Sequence, residues 1–437
     1  MLQRGKMVGG ALCALALLAG SSFAQDSEQQ VATVVHAGRL LADASNGRVL
    51  TEQSILISAD GRIVSIEPGY ITPAGARVVD QRNRFVLPGL IDSHVHLRSE
   101  LSAQRIYDPV LLSDADVALR AAQNARITLN AGFTTVADLG APNSAIFALR
   151  RAVNEGRVVG PRIIASGSSV TPDGGHGDAQ AFQPDVLDVI RSESACSGAD
   201  ECRRATRRQI QAGADIIKIT ATGGVLSNTA AGVGQQLSDA ELQAIVEAAH
   251  SMGRRVTAHA HGVDGINAAL RAGVDSIEHG TYLDRDSIRL LRQGDRYVIP
   301  TMMAGWWVGQ LAERGGTLTP AQADKARRVG PDLVRMVRMA READVRFAFG
   351  TDTGVSPHGQ NAREFQLLVE AGFTPIQTLR MATVDAADHL QIGDVTGRIA
   401  PGYAADIIAV DGDPTRDVAT LMSVPFVMAR GTAFKDE

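Results

Sequence analysis

Eight short apolar runs alternate with helix-like segments through the middle of this chain, and that alternation most tightly limits its fold. The runs are VLPGLIDSHVHL, GFTTVADLG, RIIASG, ADIIKITATG, RRVTAHAHG, VDSIEHG, YVIPTM and VRFAFGTDT. Alternating strands and helices are the signature of a parallel α/β architecture. Eight such βα repeats close naturally into a barrel. The segments between the runs read as good helices. In SDAELQAIVEAAHSMG, Ser238 and Glu241 form a capping box and Gly253 supplies a C-terminal stop. The expected core is therefore a (β/α)8 TIM barrel over residues 87–390.

The two ends of the chain read differently. Residues 31–86 give short alternating strands (ATVVHAGRLL, GRVLTEQSILIS, GRIVSIEP, ARVVDQRNRFV) punctuated by Gly, Asp and Asn. DIIAVDGDP and FVMARGTAF continue the pattern near the C-terminus. Residues 25–86 and 391–437 are expected to pair into one small β-sandwich domain. A chain of 437 residues has room for a large barrel and such a companion.

Residues 1–24 read as a signal peptide: Arg4 and Lys6, then the apolar ALCALALLAG, then Ser22-Phe23-Ala24 before Gln25. The apolar stretch is short for a bilayer span, so the expectation is an exported protein, periplasmic or secreted, with no stable membrane span. The formal net charge of −5 gives no reason to expect nucleic acid or an anionic membrane as partner. In an oxidising compartment Cys196 and Cys202 are expected to form a local disulfide; two thiols with no nearby His or further Cys make a poor metal site.

Metal-capable side chains fall at the ends of the apolar runs, where barrels of this kind keep their active sites. His94 and His96 lie two apart, so on a strand they share one face. Lys218 lies in DIIKIT, His259 and His261 in TAHAHG, His279 in IEHG and Asp352 in FGTDTG. Only ten residues are His, so their gathering at strand ends is not what a random scatter gives. By alternation Glu278 is expected to point away from His279, toward the helices.

Together these motifs resemble the amidohydrolase superfamily, and within it the imidazolonepropionase-related branch of Xaa-Pro and Xaa-Arg dipeptidases and ochratoxin-type amidases. The resemblance rests on LPGLIDSHVHL, TGGV, AHAHG, SIEHG, GTDTG and the closing GRIAPGYAADIIAVDGDP, and covers nearly the whole mature chain. It implies two divalent ions, preferentially Zn2+. His94 and His96 would bind the more buried ion, with Asp352 completing its set, and His259 and His279 would bind the second. Lys218 would be carboxylated and bridge both. It also implies a homo-oligomer.

Each assignment has a plainer alternative. A buried lysine is readily neutral and can capture carbon dioxide, yet it can also simply be ion-paired. Asp352 can ligate a metal and take a proton from the attacking water, or cap a helix. His261 is a substrate contact or a structural histidine. Asp92 is expected to orient a ligand from behind. His176 in GGHG is a candidate donor to the substrate carbonyl, or a solvated loop residue. Gly223, Gly224, Val225, Leu226 and Ser227 form a loop that can face a substrate carboxylate, or merely a turn. Arg98 and Ser99 are candidates for holding an anionic group. Trp306 and Trp307, with Met302 and Met303, wall a side-chain pocket or pack between helices or subunits.

The expected activity is hydrolysis of the amide bond of a dipeptide or N-acyl amino acid, including ochratoxin-like N-aroyl amino acids, by a metal-bridging hydroxide. The substrate is a small molecule or short peptide with a free carboxylate. A lactone or ester hydrolase with the same two-metal site is a close variant. A one-metal deaminase or cyclic-amide hydrolase is disfavoured by Lys218, and a non-catalytic partner-binding barrel by the full ligand set.

Overall fold

The computed structural model describes residues 31–227 and 232–437. The expected signal peptide lies outside the described residues. Among these residues no helix is long and apolar enough to cross a membrane.

The N-terminal segment forms β1 (Val31–Leu41), β2 (Val49–Ser58), β3 (Ile63–Pro68) and β4 (Arg77–Pro88). Among the described residues nine further strands or bridges run through the middle of the chain. The first seven are β5 (Leu90–Val95), β6 (Phe133–Asp138), β7 (Arg162–Ala165), β8 (Thr171–Pro172), β9 (Ala195–Cys196), β10 (Ile217–Thr220) and β11 (Val256–Ala260). The last two are β12 (Ser276–His279) and β13 (Tyr297–Ile299). β14 (Ile407–Val410), β15 (Phe426–Ala429) and β16 (Thr432–Asp436) end the chain.

The terminal strands share one seven-stranded mixed sheet in the order β16-β15-β14-β4-β1-β2-β3. β4 joins the two ends of the chain, pairing parallel to β1 and antiparallel to β14. One face of this sheet has its own apolar core, with Val35, Ile55, Ile57, Val86, Ile407, Phe426 and Met428 fully buried.

The middle strands pair only in parallel, as β5-β6-β7 and β10-β11-β12-β13. β5, β6, β10, β11, β12 and β13 are buried along their whole length. This is why they read as near-continuous apolar runs rather than as alternating ones. Single parallel bridges add Val170 to Ile219, Val298 to Phe347 and Val95 to Thr353. The run VRFAFGTDT therefore contributes isolated bridges and not a continuous strand. Its path bends at Asp352, whose φ of 56° is left-handed.

Helices cover these strands where the sequence places them. Ser238 and Glu241 close the expected capping box on Asp239–His250, and Ser113 with Asp116 does the same for Asp114–Asn130. The expected disulfide between Cys196 and Cys202 is formed. It ties β9, which pairs with β8, to the helix Ala199–Ala212.

Candidate metal centre

Side chains from the ends of β5, β10, β11 and β12, and from the bend at Asp352, converge. The ligand atoms of His94, His96 and Asp352 lie within 4.8 Å of one another, as do those of His259, His261 and His279. Lys218 Nζ is 3.3 Å from His94 Nε2. The His94 and His279 rings are 5.5 Å apart, so the two groups adjoin. All six residues expected to hold metal are thus brought together, and His261 joins them, its ring stacked on His279 at 4.7 Å.

The imidazoles are pinned from behind. His94 Nδ1 donates to Glu278 Oε2 at 2.6 Å, His96 Nδ1 to the Gly140 carbonyl at 3.3 Å, and His259 Nε2 to the Gly223 carbonyl at 3.4 Å. His279 Nδ1 meets Thr301 Oγ1 at 2.6 Å. That hydroxyl gives its own proton to the Pro300 carbonyl, so it accepts from the ring. A neutral imidazole has one N–H. With that proton spent outward, the inward nitrogens of His94, His96, His259 and His279 carry bare lone pairs.

These inward atoms face each other. His279 Nε2 and His259 Nδ1 are 3.0 Å apart, and His96 Nε2 is 3.2 Å from Asp352 Oδ1. Asp352 Oδ1 is buried and has no hydrogen-bond donor among the described residues. Lone pairs set against lone pairs repel unless a cation lies between them. The donor set therefore fits a divalent metal such as zinc.

Charge supports the same reading. Burial pushes His96 and His261 down to about 4 and His176 to about 3, and it holds His259 and His279 well below their usual range. These rings stay neutral, as metal ligands must. Burial also lowers the Lys218 ammonium. For Asp352 burial works the other way, but His94 and His96 favour its carboxylate whenever they carry a second proton, and the carboxyl lies far below its ordinary value.

Glu278 corrects the expected strand alternation. It is fully buried, bonds His94 and accepts from Thr257 Oγ1, so it faces the interior together with His279. The physical reason is the left-handed φ of 68° at His279, which breaks the two-residue period at the strand end. Burial would raise the Glu278 carboxyl, but its contact with His94 and the hydrogen bonds it accepts from His94 and Thr257 keep it below the ordinary range.

Among the described residues no imidazole is a hydrogen-bond partner of Asp92. Asp92 accepts from the backbone N–H of His94 and of Thr351, from Thr351 Oγ1 and from Asn361 Nδ2. It thus locks the backbone beside His94 to the backbone beside Asp352. Burial pushes its carboxyl up to about 6.

His176 reaches the cluster, its ring 4.2 Å from that of His259. Beneath it lies Gly224, where a Cβ would come within 2.5 Å of the imidazole. Only glycine fits there. Val225 and Ser227 are buried and Leu226 half-buried in the same loop, and Ser227 Oγ bonds both N and O of Gly224. Ser99 is buried beside Gly354, and the half-buried Arg98 lies near Asp138. Met302 and Met303 are buried at the start of the helix Met302–Arg314, Trp306 packs under Arg363 at 5.2 Å and Trp307 under Arg314 at 5.7 Å.

Sequence reading missed Thr301, the Gly140 and Gly223 carbonyls, and Glu364. The two oxygens of the buried Glu364 carboxyl group accept the N–H groups of Met302 and Met303, capping the helix that follows Thr301. In the helical run REFQLLVE Glu364 shares a face with Leu367 and Leu368, and that placement is the one signal the sequence offers.

Residues 85–433 match the amidohydrolase family, and the chain belongs to that family. Ochratoxinase from Aspergillus niger is 30% identical over 94% of this chain and 88% of that protein. The crystal structure of a Xaa-Pro dipeptidase with methionine bound in its active site matches with a TM-score of 0.87 and 36% identity, covering 92% of this chain and 99% of the other. A prolidase in complex with N-methylphosphonate-L-proline matches with a TM-score of 0.84 and 30% identity, over 93% and 100% of the two chains. The protein is accordingly a hydrolase of the amide-cleaving kind.

Proposed function

We propose that the protein is a binuclear metallo-amidohydrolase that cleaves dipeptides or N-acyl amino acids bearing a free carboxylate. The observation that carries this reading is the 3.0 Å approach of His279 Nε2 and His259 Nδ1, in rings whose other nitrogens meet outward acceptors. His94, His96 and Asp352 would hold one divalent ion, preferentially zinc, and His259 and His279 the other. Bound there, the ions would polarise the scissile carbonyl and acidify water.

The protein's own groups do the rest. Burial disfavours the Lys218 ammonium; in its neutral form the amine would add to carbon dioxide, forming an N–C bond and releasing one proton, and the resulting carbamate is a bidentate anion suited to bridging two cations. Asp352, kept ionised, takes the proton from the attacking water at a carboxylate oxygen and returns it to the leaving amine. His176 stays neutral and donates its N–H to the carbonyl oxygen as charge develops on it. The relatives' printed substrates, an ochratoxin and prolyl dipeptides, share an amide bond beside a carboxylate, and this supports the same class here.

We further propose the fold that carries this site: an eight-stranded (β/α)8 barrel over 87–390, with the small β domain built as a sandwich from 25–86 and 391–437. The parallel bridges between Val298 and Phe347 and between Val95 and Thr353 support that closure. Export after cleavage at Ala24 is supported by the disulfide, which suits an oxidising compartment.

The test is a hydrolysis screen of dipeptides and N-acyl amino acids with zinc-loaded mature protein, beside metal analysis. About two zinc per chain and cleavage lost in Asp352→Asn are expected. About one zinc, or near-normal turnover in zinc-loaded Asp352→Asn, refutes the reading.

A further inference from the structure

The chain carries 43 Lys and Arg, yet only four are lysines: Lys6, Lys218, Lys325 and Lys435. Wherever a surface cation is wanted, this sequence nearly always uses Arg. Two of the exceptions stand at the site. Lys218 is accounted for above; Lys325 is not.

Lys325 lies in the helix Pro320–Glu342 and is half-buried. Its Nζ donates to the Gly224 carbonyl at 2.7 Å and to the Ser227 carbonyl. One turn earlier, Gln322 Nε2 donates to the Leu226 carbonyl at 2.6 Å. The first turns of this helix therefore clamp three carbonyls of a single loop.

That loop touches the histidine cluster twice. The Gly223 carbonyl takes the Nε2 proton of His259 and so turns the Nδ1 lone pair inward. Gly224 leaves the space in which the His176 ring lies. Two carbonyls converging on one point suit a compact ammonium with three rotatable donors. A planar guanidinium fork spreads its donors too widely for the same place. The lysine charge also bears on His176 and His261, where it disfavours protonation.

We propose that Lys325, assisted by Gln322, is a positioning residue: it holds the Gly223–Ser227 loop in the shape that presents His259 and His176. The proposal rests on the functional reading above, since it assigns His259 to the metal. It names a role for two residues that touch neither substrate nor the reacting atoms.

The test uses the mature full chain with Lys325→Met, Lys325→Arg and Gln322→Leu, each loaded with cobalt(II) and with zinc. Cobalt absorbs in the visible, and its spectrum reports the ligand field without any substrate. Lys325→Met is expected to alter that spectrum and to lower kcat/KM by roughly 10- to 100-fold, as for one or two charge-assisted hydrogen bonds. Lys325→Arg is expected not to restore either, although it keeps the charge. Gln322→Leu is expected to shift both in the same direction by less, and it tests the clamp if Lys325→Met does not fold. An unchanged cobalt spectrum with unchanged kcat/KM in Lys325→Met, or full rescue by Lys325→Arg, overturns the proposal while leaving the functional reading intact. Wild-type protein that takes up no cobalt overturns the functional reading, and this proposal with it.

Discussion

Glu278→Gln is the most discriminating single change. The Glu278 carboxylate is fully buried and receives the His94 Nδ1 proton at 2.6 Å. Its other oxygen accepts from Thr257 Oγ1, which in turn accepts from Ser276 Oγ. A glutamine keeps the shape and can still accept from His94 through its amide oxygen. Its NH2 group then faces the Thr257 hydroxyl, which must give up its present acceptor. The charge that makes His94 a stronger donor of its inward lone pair is gone as well. A hydrogen bond to a charged group contributes about 1.5–3 kcal/mol. At about 1.4 kcal/mol per tenfold, zinc affinity should fall roughly 10- to 100-fold, the range seen when a histidine ligand loses its carboxylate support. The assay is competition for zinc against a chromogenic chelator, with thermal melting run in parallel to show that the fold persists. Affinity within twofold of wild type in a folded variant would refute the claim that Glu278 acts through His94.

Four further outcomes follow from the same geometry. Gly224→Ala places a methyl 2.5 Å from the His176 ring, so the ring must move; turnover should drop about tenfold or more while zinc content holds, and unchanged kcat would show that His176 takes no part. Zinc removal should lower the melting temperature, because a ligand binding only the folded state adds about 4 kcal/mol at a thousandfold excess over its Kd; identical melts with and without chelator would contradict the metal centre. Burial pushes Glu364 up to about 8 from 4.5, so the folded state binds this proton more tightly than the unfolded one. Stability should then decline as pH rises from about 4.5 to 8, by at most about 5 kcal/mol from this group, and Glu364→Gln should flatten that slope in urea melts; an equal slope in the variant would refute it. Replacing Cys196 and Cys202 by serine opens a short ring between residues six apart and should cost about 2 kcal/mol, seen as a lower melting temperature that reductant no longer changes; a melt equal to wild type would count against a stabilising role.

Much of the centre is legible in the sequence because buried parallel strands leave a simple trace. Apolar runs end in His94, His96, Lys218, His259 and His279, and a side chain at a strand end has little choice but to face the mouth. The capping box at Ser238 and the local disulfide were readable for similar reasons, since each depends on neighbours in sequence. Where the backbone leaves regular geometry, the trace is lost. Nothing in SIEHG announces that His279 adopts a left-handed φ, so alternation sends Glu278 to the wrong face. Asp352 bends in the same way, and the last run becomes bridges rather than a strand. The backbone carbonyls of Gly140 and Gly223 have no letter of their own. Contacts such as Lys325 to Gly224, 101 residues apart, depend on how a helix is laid over a loop.

The irregular positions are also the ones that make the donor set coherent. Left-handed backbone at a non-glycine residue costs about 1–3 kcal/mol and persists only when its surroundings enforce it. Among the described residues eight non-glycine positions are so held, and three of them stand at this centre: His279, Thr301 and Asp352, with φ of 68°, 49° and 56°. Thr301 takes the outward proton of His279, Glu278 beside His279 takes that of His94, and Asp352 turns its carboxylate toward His94 and His96. A regular strand would send alternate side chains to opposite faces and could not bring Glu278 and His279 inward together. Strain at His279 and Thr301 therefore goes with the contacts that fix which nitrogen of the His94 and His279 rings is bare. That is the arrangement expected if binding cations, rather than packing, decided the shape of these strand ends.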